Sequence, residues 1–199
     1  MLDINQGKKA VVFARKNIEG YVKKREKYEE FLPDSFNEKR GAFVTIHTYP
    51  NHDLRGCIGI PMPVMKLKDA IIEGAISATH DPRFPDLSSY ELDNIIIEVT
   101  VLSKPEEIIV KKPKEFLKEI KIGRDGLIVE KGFYRGLLLP QVPVEQKWDI
   151  ETFLSQTCMK AGLMPDSWFD KEIKISRFSG QIFTEKSPNG DIEEKKIDG

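Results

Sequence analysis

Leu54-Arg55-Gly56-Cys57-Ile58-Gly59 is the stretch from which the rest of the chain is best read. If it is a strand, alternation puts Leu54, Gly56 and Ile58 on one face and Arg55, Cys57 and Gly59 on the other. Upstream, Gly41 to Tyr49 alternates Phe43, Thr45 and His47 against Val44, Ile46 and Thr48, and a turn follows at Pro50, Asn51, His52 and Asp53. The hexapeptide is therefore expected as the return strand of an antiparallel hairpin, stopped by Pro61 and Pro63. Its guanidinium and thiol then share a face. A neighbouring Arg favours the thiolate, and two glycines bare the backbone to a ligand, so the run offers Cys57 as a nucleophile or Arg55 as an anion anchor. The competing reading makes Cys57 a small buried hydrophobe and the glycines a device for tight packing.

Working outward, Gly7 to Glu30 places Ala10, Phe13, Ala14, Ile18, Tyr21 and Val22 at helical spacing under a charged outer face, which is scaffold. A second helix is expected from Val64, through Leu67, Ile71, Ile72, Ala75, Ile76 and Ala78, until the Asp81-Pro82 step ends it; Asp81 to Leu87 is then a loop. Asn94 to Leu102 reads as a central strand, Lys111 to Lys121 as holding a short helix, and Gly126 to Leu139 as a hairpin turning at Lys131-Gly132-Phe133. Asp149 caps a helix over Ile150 to Ala161, with Trp148 stapled toward Phe153 and Gly162 closing it. The last strand is expected over Ile173 to Phe183, followed by a polar tail, 185–199, that is mobile or a marginal hairpin. With no repeat or linker, residues 1–184 are expected as one α+β domain, with room for two lobes and a sheet dominated by antiparallel pairing.

Composition narrows the function classes. The 199 residues are 40% hydrophobic and 32% charged with a net charge of -1, which is globular and lacks the basic excess of a nucleic-acid binder. No apolar run approaches the roughly 20 residues of a membrane span, and the N-terminus lacks a secretory pattern, so a cytoplasmic location is expected. Cys57 and Cys158 stand far apart, giving neither a disulfide framework nor a Cys-x-x-Cys site. His47, His52 and His80 show no metal-ligand spacing, and phosphate-binding glycine loops and a Gly-x-Ser-x-Gly elbow are missing, so no metal or cofactor is expected. Two other places carry polar groups on constrained segments. Asp81-Pro82-Arg83-Phe84 offers an ion pair beside an aromatic ring; Glu145 and Gln146, on a loop bounded by Pro143, offer a carboxylate as general base. The alternative for Glu145 is a solvent-exposed acid near a helix start.

Leu54-Arg55-Gly56-Cys57-Ile58-Gly59 resembles the signature of the AMME-syndrome candidate-region family, whose microbial members are called AmmeMemoRadiSam system protein A. Further segments match in order: Asp81-Pro82-Arg83-Phe84, Gly123-Arg124-Asp125-Gly126-Leu127, Leu138-Leu139-Pro140-Gln141-Val142, and Glu145-Gln146-Lys147-Trp148 leading to Lys160-Ala161-Gly162-Leu163. The resemblance implies an α+β fold with a mainly antiparallel sheet, flanking helices and two subdomains whose cleft gathers these residues. It carries no settled activity, but it implies the company of Memo-type and radical S-adenosylmethionine proteins in a modification pathway. His80 and Asp86 depart from the pattern and receive no role.

Two functions are thus expected to compete. In the first, an enzyme or enzyme component uses Cys57 as nucleophile, Arg55 to stabilise a thiolate or anionic substrate, and Glu145 to move a proton. In the second, a non-catalytic module holds a peptide or small ligand near Gly56, Gly59, Arg83 and Trp148 for partner proteins. A regulatory nucleic-acid binder ranks below both.

Overall fold

The computed structural model describes residues 1–196. In chain order the helices are α1 (Ile4–Lys24), α2 (Leu67–Ala78), α3 (Phe116–Glu119), α4 (Gln141–Glu145) and α5 (Ile150–Lys160). The strands are β1 (Ala42–Thr48), β2 (Leu54–Ile60), β3 (Ile95–Leu102), β4 (Glu106–Glu107), β5 (Gly126–Lys131), β6 (Tyr134–Leu138), β7 (Lys174–Phe178), β8 (Gly180–Glu185) and β9 (Ile192–Lys195). The fold is α+β with mostly antiparallel sheets, and it comprises two compact units: Met1–Leu102 with Gln181–Lys196, and Ser103–Gly180.

The first unit has a five-stranded sheet in the order β2-β1-β3-β8-β9. β1 lies antiparallel to both β2 and β3, with Thr45 opposite Cys57 on one side and Glu98 on the other. Val44, Ile46, Ile97 and Val99 meet α1 and α2 in one core, while Phe43, Thr45 and Cys57 lie on the opposite face, as period-two alternation requires. α1 starts in a capping box: Gln6 N–H donates to Asp3 and Asp3 N–H donates back to the Gln6 side chain. Its expected stripe is present, but the helix stops at Lys24 rather than Glu30. Arg25 takes a left-handed φ of 59°, and the buried Asn17 amide accepts Tyr28 N–H at 3.0 Å and donates to Tyr28 O at 3.2 Å, so the chain folds back along the helix instead of extending it.

The second unit carries the sheet β4-β7-β5-β6. Leu127, Val129 and Ile175 pack with Phe153, Leu154 and Cys158 of α5 and with Trp168. Asp149 caps α5, accepting Thr152 N–H, and Leu163 N–H to Cys158 O with Gly162 N–H to Met159 O close its other end in a Schellman motif. Glu145, expected on a loop bounded by Pro143, instead ends the helix α4, which tolerates Pro143 in its first turn because the missing N–H would have no helical partner there.

The single strand expected over Ile173 to Phe183 is instead β7 and β8, which belong to different sheets. Its two aromatic residues pack in different places: Phe178 fills the space left by Gly126, and Phe183 joins the first unit's core in the space left by Gly7. Of the expected tail, Glu185 ends β8 and a turn leads to β9, which pairs with β8; residues 197–199 lie outside the described residues. Among the described residues no helix is long and apolar enough to cross a membrane.

The chain rejoins the first unit in β8 after the 78 residues Ser103–Gly180, and a buried ion pair holds it there. Arg15 of α1 donates to Glu185 through Nε at 2.6 Å and Nη2 at 2.5 Å, and also reaches the carbonyls of Ile95 and Leu92; Glu185 in turn accepts Ile97 N–H at 2.9 Å. Burial opposes the charge on Arg15, but the bonds to Glu185 outweigh it and raise the guanidinium above its ordinary pKa. Removing one partner of such a pair strands the other charge. Glu185→Gln should destabilise the protein by about 3–5 kcal/mol. Urea denaturation of the full chain measures this; a loss under about 1 kcal/mol would mean the pair is not what secures β8.

Candidate functional site

Among the described residues β2 is an edge strand, with no strand partner on one side of its backbone. At Cys57 two side chains fill that side. Cys57 N–H donates to Asp81 Oδ2 at 2.9 Å, and Arg83 Nη2 reaches Cys57 O at 3.4 Å. The two partners are tied to each other by Arg83 Nε to Oδ1 at 3.0 Å, Arg83 Nη2 to Oδ2 at 2.6 Å, and Arg83 N–H to Oδ1 at 3.1 Å. An acid and a base two residues apart thus present the acceptor and donor that a neighbouring strand would supply.

Gly56 makes this arrangement accessible to the fold. A Cβ there would lie 2.2 Å from Ala78 O, so only glycine lets β2 run against the C-terminal end of α2, which brings the Asp81 loop alongside. Gly59 serves another contact: a Cβ would meet the Phe43 ring at 2.4 Å and Ala42 O at 2.4 Å. The ring of the cross-strand partner covers the glycine. Protein atoms therefore take up the space beside these glycines that the sequence offered to a ligand.

The half-buried Cys57 accepts a hydrogen bond from Thr45 Oγ1 at 3.1 Å. Burial pushes its thiol pKa up; the Thr45 bond and the nearby Arg83 charge pull the other way without overcoming it. Arg55, expected to act on the thiol, is held by Glu91 instead, through Nε to Oε1 at 2.6 Å and Nη2 to Oε2 at 3.2 Å, with Asp86 O at 3.4 Å from Nη2. Desolvation raises the Glu91 pKa, but the bonds from Arg55 and Ser88 bring it below the usual value. Glu91 was absent from the sequence candidates, although Ser88-x-x-Glu91 has the spacing of a capping box, and Glu91 does accept Ser88 N–H at 2.9 Å. Asp86, assigned no role, contributes its carbonyl. The Phe84 ring centroid lies 6.0 Å from the Arg55 guanidinium and 5.6 Å from that of Arg83.

Arg55, Gly56, Cys57, Gly59 and Arg83 thus gather on one edge of the first unit. Glu145 and Trp148 belong to the second: Glu145 is exposed at the end of α4, and Trp148 packs half-buried against that unit's core, its N–H bonded to Pro143 O at 2.9 Å. Cys158 is fully buried there, and burial pushes its thiol up to about 11. Among the described residues no three His, Cys, Asp or Glu side chains are placed to hold a metal ion.

A family model described as AMMECR1 matches residues 11–183. Protein MJ0810 of Methanocaldococcus jannaschii is 55% identical over 198 residues, covering 99% of this chain and 98% of its own. Protein PYRAB00100 of Pyrococcus abyssi is 50% identical, with 96% of each chain covered. Among solved structures, uncharacterized protein PH0010 from Pyrococcus horikoshii superposes with a TM-score of 0.88 at 47% identity, covering 98% of this chain and 99% of that one.

The Arg83 bond holds the Asp81 carboxyl well below the usual carboxylate range despite opposing burial, with help from Cys57 N–H and Arg83 N–H. Because the folded-state pKa is depressed, the stabilisation is present at any pH above the unfolded value near about 3.9 and is lost as pH falls below it toward the folded one. Asp81→Asn keeps an acceptor for Cys57 N–H but loses the charge; about 1–3 kcal/mol of stability should go at pH 7, with a smaller difference from the native chain in acid. Denaturation at both pH values measures this, and an equal deficit at both would show that the charge is not the cause.

Proposed function

The chain belongs to the AMMECR1 family, and we propose that it works as a ligand- or partner-binding module rather than through a thiol nucleophile. The observation that carries this reading is the division of partners at β2: Arg55 is committed to Glu91, and the Cys57 sulfur, pushed toward the neutral thiol by burial, is bonded to Thr45. A nucleophile at this position needs a cation to stabilise the thiolate or a base to take its proton. Arg83, whose charge lowers the thiol pKa, directs Nε and Nη2 at the Asp81 carboxylate and the Cys57 carbonyl rather than at the sulfur.

The recognition surface in this reading is the Asp81-Pro82-Arg83-Phe84 loop. The Arg83 side chain keeps 55% of its surface exposed, although Asp81 fixes its direction, so the ordering that usually weakens an arginine contact is already done. A fixed guanidinium beside an aromatic ring suits a carboxylate or phosphate on a small molecule or peptide. Gly56 and Gly59 act by positioning, through the contacts they permit. The family resemblance is the reason for testing Memo-type and radical S-adenosylmethionine proteins as its partners, with the module as an adaptor in a modification pathway.

Alkylation of the folded protein by iodoacetamide across pH, with Cys57→Ser to subtract Cys158, separates the two functions. The binding reading expects Cys57 at pH 7 to react at least about tenfold more slowly than a free thiol. Rapid alkylation near neutral pH would overturn it and restore the enzyme reading, with Cys57 as nucleophile and Glu145 as the base to test next.

A further inference from the structure

The second unit holds a pocket whose lining includes none of Arg55, Cys57, Arg83, Glu145 and Trp148. Its volume is about 260 Å³, and it sits where the chain leaves β4 and passes into the 3-10 turn Pro113–Glu115 and α3. The floor is apolar: Ile108, Phe116 and Ile173 are buried core residues, and Val110 packs half-buried beside them. The position of Ile108 is set by the sheet, since its N–H continues the β4 and β7 pairing through Ile175 O at 2.8 Å. Above these buried side chains the accessible apolar lining comes from half-buried Val110 and Pro113 and from Ile109, which is largely exposed.

The rim has a charge bias. Lys111, Lys112 and Lys171 line the pocket and are exposed, against two acids, Glu107 and Asp170. Asp170 is already bound to Lys131, so the lysines outnumber the one acid that has no ion pair. Glu115 accepts the backbone N–H groups of Lys111 and Lys112 at 2.9 and 3.4 Å and so fixes the course of the segment that carries both lysines.

A pocket of this volume, with apolar side chains below and lysines at its rim, suits a hydrophobic body the size of a ring with an anionic head. We propose that this pocket binds a small organic anion of the aryl or branched-alkyl carboxylate class. Burial of the apolar body provides the affinity, and the lysines select the head group. The site is independent of the binding role assigned to β2, and either can fail without the other.

Three probes with the same apolar body test it on the full chain: phenylacetate, 2-phenylethanol and 2-phenylethylammonium, followed by methyl NMR of Ile108, Val110 and Ile173. Phenylacetate should shift these methyls saturably, the alcohol more weakly and the ammonium least. The double reversal Lys112→Glu/Lys171→Glu, on exposed positions outside the core, should weaken phenylacetate by about tenfold, and added salt should weaken it in the native chain. Absence of saturable shifts, equal binding of acid and amine, or an unchanged affinity in the double variant would each overturn the proposal. So would binding of the acidic peptide acetyl-Glu-Phe-Glu-amide where phenylacetate is silent, which would make the pocket a protein-docking surface.

Discussion

The Arg15–Glu185 pair is the constraint on which the first unit depends. That unit is assembled from two separated stretches of chain, and no turn or short connection brings the second back to the first. Glu185 meets α1 through Arg15 and β3 through Ile97 N–H, so one carboxylate ties the returning strand to a helix and to the sheet together. A buried ion pair contributes less net stability than an apolar contact of the same volume, because both charges must be desolvated. What it adds is direction: a strand shifted by one residue would leave both charges buried without partners, whereas an apolar contact tolerates a slip more readily. Gln181 repeats the device at the other end of β8, bonding both the N–H and the carbonyl of Leu2.

The same economy governs β2. An edge strand invites pairing with another chain, and here the Asp81–Arg83 pair takes the hydrogen-bonding positions at Cys57 before any other strand can. That arrangement also explains the state of the thiol. The cation nearest to it serves the edge, the other arginine of the motif serves Glu91, and Thr45 is left as the sulfur's hydrogen-bonding neighbour. The motif reads as a reactive constellation in one dimension and becomes a set of satisfied polar groups in three.

Much of the fold was legible in the sequence. The β1–β2 hairpin, the stripes of α1 and α2, the cap at Asp149 and the closure at Gly162 all rest on local chemistry, in which alternation, helical spacing, capping side chains and glycine act within a few residues of one another. The hexapeptide and the ordered segments after it pointed to the family. For the site, the sequence indicated which residues would share the face of β2, because side-chain alternation depends only on the strand existing. It did not indicate their partners.

Those partners are tertiary facts. Arg55 meets Glu91 36 residues away, Cys57 meets Asp81 24 residues away, and Arg15 meets Glu185 170 residues away. Likewise, a continuous β-prone run from Ile173 to Phe183 contains no local signal that its two halves will join different sheets. The sequence by itself determined the elements, their faces and the family. The packed structure alone decided which charges neutralise which, because electrostatic partners are chosen by proximity in space and burial sets the cost of leaving any of them unpaired.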